Sequence, residues 1–481
     1  MSRCADVSVQ LAAACRRAPS GGLVALLLAT AVGCAPRARA VRPAFQQGGL
    51  SAETPSPSEP SSDGVAKVGG PPAAVDALPP EADAPVAEPP MVRVPRALPQ
   101  LDPFYERLDA VLNGRTDRSV RVLWLGDSHT AADFLTHEVR KHLQATVRPG
   151  GPGFVRLGLD GYRHSQVRFS LSGRFNKAPI LPAQSTRVLD GVFGYGGIRT
   201  LPIAGAKAEA TLREPDAAEV VWTLSYRLPK GAQLMVRLGD QSHRLRPESR
   251  QDPQEPGAGV TWAAFTGSAN ETFSVQHVSG DPEIFGAFVD TVDEGVVLDT
   301  VGINGARVAT PLAWEPDQFR EQIRRRGVDL LVVAFGTNEA FDRARTSHYR
   351  EQTMALVKLA REARPELPCW VVGPPDAANS RGGSLDRVVE ITAAQAAAAK
   401  ELGCAFSSQL ELMGGEGSFA SWMSARPSKA RSDRVHLTIS GYKELGELLA
   451  NELLPVDVDD TGRPPWRTTE QGAEMVRPAP P

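Results

Sequence analysis

A buried strand that breaks sharply into a helix constrains this chain more than any other feature. The apolar run 122–125 ends at Gly126, and Asp127 and Ser128 follow at once. Apolar residues then recur at helical spacing, at Phe134, Leu135, Val139 and Leu143. Ligands bind at such strand ends in open α/β sheets, and a helix N-terminus favours developing negative charge. Ser128 is therefore a candidate nucleophile, unless Asp127 or Ser128 only caps the helix.

The N-terminal 34 residues have the pattern of an export signal. Arg16 and Arg17 precede the apolar stretch 23–33, which is too short for a comfortable membrane span. The stretch ends in Val-Gly-Cys34, which resembles a bacterial lipobox and implies a lipid on Cys34. We expect a lipid-anchored envelope protein, on the outer membrane facing the periplasm if the host has one. A plain signal peptide and a secreted protein are the alternative.

Two segments lack the apolar residues needed to fold. Residues 35–99 are mostly Pro, Ala, Ser and Glu with hardly an aromatic side chain, and residues 459–481 are similar. Such segments remain extended, so the first is predicted to be a tether and the second a tail. The net charge of -3 over the whole chain gives no reason to expect a nucleic-acid partner.

The remaining chain shows one sequence pattern at both ends and a different one in its middle. In residues 100–165 and 298–458, apolar runs typical of buried strands alternate with amphipathic helical patterns, which predicts a parallel sheet covered on both faces. In residues 166–297, apolar and polar residues alternate with period two, as at Trp222, Leu224, Tyr226 and Leu228. We interpret this middle region as a β-sandwich inserted into an α/β domain.

Three further stretches carry candidate residues: two follow predicted strands, and the third precedes the last helix. Gly305 lies after a strand-like run, Asn338 ends the motif Gly-Thr-Asn after the most apolar strand, and Asp433 and His436 precede the last helix. The carboxyl ends of parallel strands meet at one edge of a sheet. All of these residues can therefore converge on Ser128.

These motifs, in this order, resemble the SGNH (GDSL-type) hydrolases: Gly126-Asp127-Ser128, Gly305, Gly336-Thr337-Asn338 and Asp433-x-x-His436. The resemblance covers residues 100–165 and 298–455. It implies a flavodoxin-like, three-layer α/β domain that acts as a serine esterase through an acyl-enzyme. It implies no metal and no organic cofactor.

Each matching residue has a role that its chemistry suits. Serine is a weak nucleophile until a base removes its proton, so His436 would activate Ser128 and Asp433 would orient His436. The backbone N–H groups of Ser128 and Gly305 and the side-chain amide of Asn338 would bind the oxyanion. His129 either contacts substrate or caps the helix.

Finer details are similar to one branch of these hydrolases, the peptidoglycan O-acetylesterases. The motifs Gly-Asp-Ser-His and Gly-Ile-Asn-Gly-Ala and a β insertion after the first block carry this likeness. It implies that the insert is carbohydrate-binding-module-like and that the substrate is an O-acetylated glycan, most simply peptidoglycan. The alternatives are a polysaccharide O-acetyltransferase with the same triad and a non-catalytic glycan-binding lipoprotein.

The cysteines and two histidines allow further inferences. Cys4 and Cys15 lie in the signal and Cys34 takes lipid, so Cys369 and Cys404 remain. Each opens a strand and one helix separates the two strands, so a right-handed βαβ unit would place them side by side, about 4.8 Å apart. A disulfide is possible, and free buried thiols are the alternative. His137 and His142 are five residues apart on a helix and cannot share a zinc ion.

Overall fold

The computed structural model describes residues 91–177, 190–247 and 259–455. The predicted signal with Cys34, most of the tether and the C-terminal tail lie outside these residues. Over the described ranges, no helix is long and apolar enough to cross a membrane.

Helices and strands alternate at both ends of the described chain, and strands dominate its middle. The α-helices are α1 (Asp102–Leu112), α2 (Ser128–Ala131), α3 (Leu135–Thr146), α4 (Ala309–Leu312), α5 (Pro316–Arg326), α6 (Thr346–Ala363), α7 (Asp386–Leu402), α8 (Gln409–Leu412), α9 (Ser418–Ser424) and α10 (Ile439–Leu453). The strands are β1 (Val120–Gly126), β2 (Gly153–Val155), β3 (Val167–Ser172), β4 (Phe175–Lys177), β5 (Thr200–Pro202), β6 (Lys207–Leu212), β7 (Glu219–Arg227), β8 (Gln233–Leu238), β9 (Gln241–Leu245), β10 (Thr261–Ser268), β11 (Phe273–Ser279), β12 (Glu283–Thr291), β13 (Val296–Gly302), β14 (Leu330–Ala334), β15 (Cys369–Gly373) and β16 (Ala405–Ser408).

The parallel sheet has the order β13-β1-β14-β15-β16. Numbered along the chain within this sheet, the order is 2-1-3-4-5, the flavodoxin-like order of doubly wound folds. The predicted α/β architecture is therefore confirmed. Strand β1 lies between β13 and β14, and its last residue, Gly126, pairs with Gly302 and Ala334. The three strand ends that carry candidate residues are thus adjacent.

Alternate side chains of the central strands enter two separate cores, as the period of a strand requires. Val122 and Trp124 pack on one face with apolar residues of α1, α3 and α10. Leu123 and Leu125 pack on the other face with residues of α5, α6 and α7. The sheet is therefore covered on both faces, which explains why its strands are continuous apolar runs.

The middle region forms two antiparallel sheets that share one hydrophobic cluster. One sheet has the order β10-β7-β12-β5-β4 with β2 on β12, and the other has the order β3-β6-β11-β8-β9. Side chains of both sheets, including Trp222 and Phe273, form the shared cluster. The antiparallel part begins with β2, before the expected start at residue 166. The strand β13, which begins at Val296, already belongs to the parallel sheet.

Two tryptophans of the middle region, Trp222 and Trp262, pack against other side chains of the protein. Trp222 is fully buried and stacks on Phe273, with 4.7 Å between ring centroids. Trp262 is partly buried, and its ring centroid lies 4.6 Å from that of Phe288. Its indole N–H donates to Gln322 of α5. Trp262 therefore connects the antiparallel part to the helical layer.

The segment 91–98, which the sequence places in the tether, packs against α1. Val94 is buried, and its N–H donates to Oδ1 of Asp109 at 2.7 Å. The N–H of Val92 donates to Oδ1 of Asn113 at 2.9 Å. The expected boundary at residue 99 is too late, because backbone bonds to polar side chains of α1 hold a segment that has few apolar residues of its own.

Cys369 and Cys404 form a disulfide, with 4.8 Å between their Cα atoms. Cys369 opens β15, and Cys404 immediately precedes β16, which pairs with β15 in parallel. Both side chains are buried in the core on the α5, α6 and α7 face of the sheet. The bond therefore joins β15 to the start of the edge strand β16.

We predict that the Cys369→Ser/Cys404→Ser double variant lowers the free energy of unfolding by about 3–4 kcal/mol, because the bond closes a loop of this length in the unfolded chain. The two cysteines are 35 positions apart. Urea unfolding of the described domain measures the change. Thiol counting on the denatured, unreduced wild type is the control, and two reactive thiols would contradict the assignment.

Candidate active site

Ser128 lies at the C-terminal edge of the parallel sheet, as its sequence context predicts. Strand β1 ends at Gly126, and Asp127 caps α2 by accepting the N–H of His129 on Oδ1 at 2.9 Å. Ser128 is the first residue of α2 and is half-buried. A Cβ on Gly302 would lie 2.3 Å from the backbone nitrogen of Ala131. Only glycine therefore allows α2 to sit directly on the end of β13.

A chain of hydrogen bonds joins Ser128, His436 and Asp433. Ser128 Oγ lies 2.9 Å from His436 Nε2, and His436 Nδ1 lies 3.1 Å from Asp433 Oδ2. The backbone N–H groups of Val435 and His436 donate to Asp433 Oδ1 at 3.0 and 2.8 Å. One carboxylate thus orients both the ring and the backbone of His436, and the three-residue spacing makes this bond local.

The outer part of this group faces solvent. The side chains of His436 and Asp433 are 37% and 41% exposed. Partial burial raises the pKa of Asp433, but the N–H groups of His436 and Val435 outweigh it and hold the pKa below its usual value. Asp433 is therefore ionised near neutral pH and can stabilise a positive charge that forms on His436.

His129 lies behind His436 rather than at the surface. Its side chain is only 5% exposed, and its Nδ1 is 3.0 Å from the hydroxyl of Tyr442. Its ring centroid is 5.4 Å from that of His436. The expected choice between substrate contact and helix cap therefore does not describe this side chain, which packs inside and is bonded to α10.

Burial controls the charge of this inner histidine. Burial first, and then the nearby His436, lowers the pKa of His129 to about 3. Burial also raises the pKa of Tyr442 well above its usual value, so that hydroxyl stays protonated. His129 is consequently a neutral ring that supports His436 without competing for its proton.

The two other candidate residues come from the loops that follow β13 and β14. Ile303 N–H donates to Gly126 O at 3.1 Å, which holds the first loop against the end of β1. Gly305 in this loop has a φ of 77°. Asn338, from the second loop, donates from Nδ2 to Ala306 O at 2.9 Å. The structure therefore brings Gly305 and Asn338 together beside the end of β1.

Two buried carboxyl groups lie under these loops. Burial raises the pKa of Asp127 to about 6, although N–H groups of His129 and Thr337 oppose this. Burial, together with the charge of Asp127, raises the pKa of Glu339 to about 7. Sequence reasoning missed Glu339. The available signal was an acidic residue directly after Asn338 at the end of a fully apolar strand.

A buried charge network centred on Asp133 supports the turn that carries Ser128. Asp133 accepts two bonds from Arg140 of α3 and one from the hydroxyl of Thr300 of β13. It also accepts the N–H of Ser165 at 2.8 Å, two residues before β3 of the antiparallel part. Burial would raise the pKa of Asp133, but the charge of Arg140 holds it far below its usual value. This network joins α3, the parallel sheet and the middle region.

Within the described ranges, no group of three His, Cys, Asp or Glu side chains could hold a metal ion. His142 Nε2 instead lies 2.7 Å from the carbonyl oxygen of Leu454. His137 and His142 are both half-buried. Close packing of α10 on α3 accounts for this burial.

Comparisons with known proteins agree with this geometry. Residues 274–444 match the model of the GDSL-like lipase/acylhydrolase family. The chain carries an SGNH hydrolase domain. The matched stretch contains Gly305, Asn338, Asp433 and His436 but begins after Ser128, which the middle region separates from the other motifs. In the structure, Ser128 lies next to the matched stretch, because its hydroxyl is within hydrogen-bond distance of His436.

One solved structure resembles most of the described chain. It is the structure of a peptidoglycan O-acetylesterase, with 24% sequence identity and a TM-score of 0.62, and the match covers 75% of this chain and 97% of that one. Smaller likenesses include a lipase/acylhydrolase from Enterococcus faecalis (19% identity, TM-score 0.26, covering 33% and 76%). A family two carbohydrate esterase from Cellvibrio japonicus is also similar, with 10% identity and a TM-score of 0.25, and that match covers 60% of this chain and 97% of the other. No curated protein sequence matches the chain.

We predict that acid weakens the SGNH domain less in the variant His129→Gln than in the wild type. The pKa of His129 is lowered to about 3 when folded, so between pH 6.5 and 3 the unfolded chain binds the extra proton. The stability contributed by neutral His129 is therefore present near pH 7 and is lost as pH falls. Urea unfolding at pH 7 and pH 5 measures this, and equal losses in both proteins would contradict it.

Proposed function

We propose that the SGNH domain removes O-acetyl groups from a cell-wall polysaccharide, with peptidoglycan as the favoured substrate. The decisive observation is the hydrogen-bonded chain from Ser128 through His436 to Asp433 at the C-terminal edge of the sheet. The domain is a carboxylic ester hydrolase by family. Its similarity to a peptidoglycan O-acetylesterase over most of the described chain supports the finer substrate.

The reaction begins with proton transfer from Ser128 to His436. His436 Nε2, 2.9 Å from Ser128 Oγ, takes the proton as Oγ attacks the acetyl carbonyl carbon. The tetrahedral intermediate collapses, the C–O bond to the sugar breaks, and His436 returns the proton to the sugar oxygen. Water then attacks the acetyl-serine with His436 again as base, the bond from Oγ to the acyl carbon breaks, His436 returns the proton to Oγ, and acetate leaves. Asp433 stays ionised and stabilises the imidazolium in both halves.

Negative charge develops on the carbonyl oxygen during each half of the reaction. The backbone N–H groups of Ser128 and Gly305 and the amide of Asn338 bind this oxyanion in our proposal. An amide nitrogen carries two hydrogens, so the bond from Asn338 to Ala306 leaves one for the oxyanion. Ser128 adds the positive end of α2, although this helix is only one turn long.

We predict that Ser128→Ala or His436→Ala lowers ester turnover by about 10³-fold or more, and that Asp433→Asn costs no more than either. The three side chains act as a unit, so losing any one removes most of the catalysis. Initial rates on p-nitrophenyl acetate and acetate release from O-acetylated sacculi measure this. Ser432→Ala, which changes an exposed serine beside Asp433, is the matched control. Near-normal turnover of a correctly folded Ser128→Ala protein would place the nucleophile elsewhere.

We also propose that the enzyme is tethered to the cell envelope through Cys34. The short apolar run that ends at Val-Gly-Cys34 supports lipidation, and Ala35 provides no acidic signal for retention at the inner membrane. The Pro-rich segment after it has the composition of a spacer that lets the SGNH domain reach an extended polymer. The partner in the envelope is then the O-acetylated glycan itself.

We predict that the mature protein begins at Cys34 and carries lipid there. Mass spectrometry of the detergent-extracted protein from its native envelope identifies the modified N-terminal peptide. In a Cys34→Ser control, the acylated peptide disappears and the protein is no longer extracted with the membrane. An unmodified Cys34, or a mature N-terminus after Ala40, would show a plain export signal instead.

A further inference from the structure

Glu339 is a buried carboxylate that the proposed chemistry does not use. It opens the short 3-10 helix Glu339–Phe341 directly after Asn338, and it is 1% exposed. Both of its oxygens accept backbone N–H groups: Oε1 from Val308 at 2.7 Å and Oε2 from Gly336 at 3.1 Å. Because the side chain is buried and both oxygens are engaged, Glu339 cannot act on substrate directly.

The two N–H groups belong to the two loops that carry the proposed oxyanion donors. Val308 lies three residues after Gly305, and Gly336 lies two residues before Asn338. A single carboxylate therefore bridges the loop after β13 and the loop after β14. The bond from Asn338 Nδ2 to Ala306 O joins the same loops a second time.

A third connection between these loops lies nearer the surface. Arg307 donates from Nε and Nη2 to the carboxylate of Asp342, at 2.6 and 2.7 Å, and Tyr349 also donates to Asp342. The side chains of Arg307 and Asp342 are 37% and 28% exposed, so water competes for this pair. The bonds from Val308 and Gly336 to Glu339 are buried, so water does not compete for them.

We propose that Glu339 is a positioning residue that fixes the Gly305 N–H and the Asn338 amide relative to each other. This role rests on the proposed function. Val308 and Gly336 are buried, so without an acceptor both N–H groups would be left without a partner. Unpaired buried N–H groups are costly, and the loops would shift to satisfy them. Donors aimed at an oxyanion lose most of their effect when they are displaced by about 1 Å.

A carboxylate suits this position better than an amide. Two accepting oxygens meet two donating N–H groups, whereas glutamine offers one oxygen and presents an NH₂ group to the other N–H. The variant Glu339→Gln therefore keeps the side-chain volume and removes one of the two bonds. It tests position without opening a cavity.

The experiment measures kcat and KM of Glu339→Gln on p-nitrophenyl acetate at about pH 8.5, above the Glu339 pKa of about 7, where the wild-type side chain is a carboxylate. We expect kcat to fall by about 10- to 100-fold while KM changes by less than about 3-fold, because the displaced donors act in the transition state. The matched control is Glu138→Gln, which changes another buried glutamate, on α3. We expect the control to keep kcat within about 2-fold. An unchanged kcat in Glu339→Gln overturns the role.

A double-mutant cycle separates positioning from general support of the fold. Asn338→Ala alone should lower kcat by about 10²–10³-fold. If Glu339 acts through the oxyanion donors, Glu339→Gln should lower kcat by a much smaller factor in the Asn338→Ala background than in the wild-type background. Fully additive losses overturn the proposal. Should Glu339→Gln fail to fold, Glu339→Asp, which keeps both acceptors on a shorter arm, carries the same cycle.

Failure of this role is distinguishable from failure of the proposed function. Ser128→Ala is measured alongside, and turnover that survives it overturns the esterase assignment itself. Turnover that depends on Ser128 but is indifferent to Glu339→Gln overturns only the positioning role.

Discussion

The hydrogen bond between Ser128 and His436 joins side chains 308 positions apart, and much of the structure serves to hold it. Ser128 follows the central strand β1, and His436 precedes α10, which packs on α3 beside Ser128. A Cβ on Gly446 of α10 would lie 2.6 Å from Leu135 O, so the two helices approach with backbone nearly in contact. Because this helix pair also fills one core of the sheet, the packing of that core and the geometry of the proposed triad depend on the same contacts.

Local signals explain why much of the site could be predicted. Each candidate residue follows a strand or precedes a helix, and parallel strands end at one edge, so Ser128, Asn338 and His436 converge once the strands are recognised. The orienting bond from Asp433 spans three residues and is visible as spacing alone. The alternation predicted a parallel sheet covered on both faces, and the resemblance to the SGNH hydrolases implied its flavodoxin-like architecture. The disulfide pair was inferred from two strands separated by one helix.

The features that sequence reasoning missed depend on long-range contacts. No local sequence pattern indicates that Glu339 accepts a hydrogen bond from the N–H of Val308, 31 residues away. The burial of His129 depends on Tyr442, which is 313 positions distant. The boundary at residue 99 was wrong because Asp109 and Asn113 hold the backbone of the segment 91–98. The range 166–297 was inexact because β2 belongs to the antiparallel part and β13 to the parallel one.

The site has ionisable side chains at its surface and buried carboxyl groups beneath them, and the two groups have different surroundings. Asp433 and His436 face solvent, so in the proposed reaction His436 can exchange its proton and the acyl-enzyme can meet water. Asp133 and Glu339 are buried, and each accepts bonds from more than one segment of the chain. A buried carboxylate without partners would be costly, so its position is determined by the groups that satisfy it. The same requirement makes these carboxylates rigid links between loops that are far apart in sequence. Precision in the exposed triad thus depends on ionic groups that never meet the substrate.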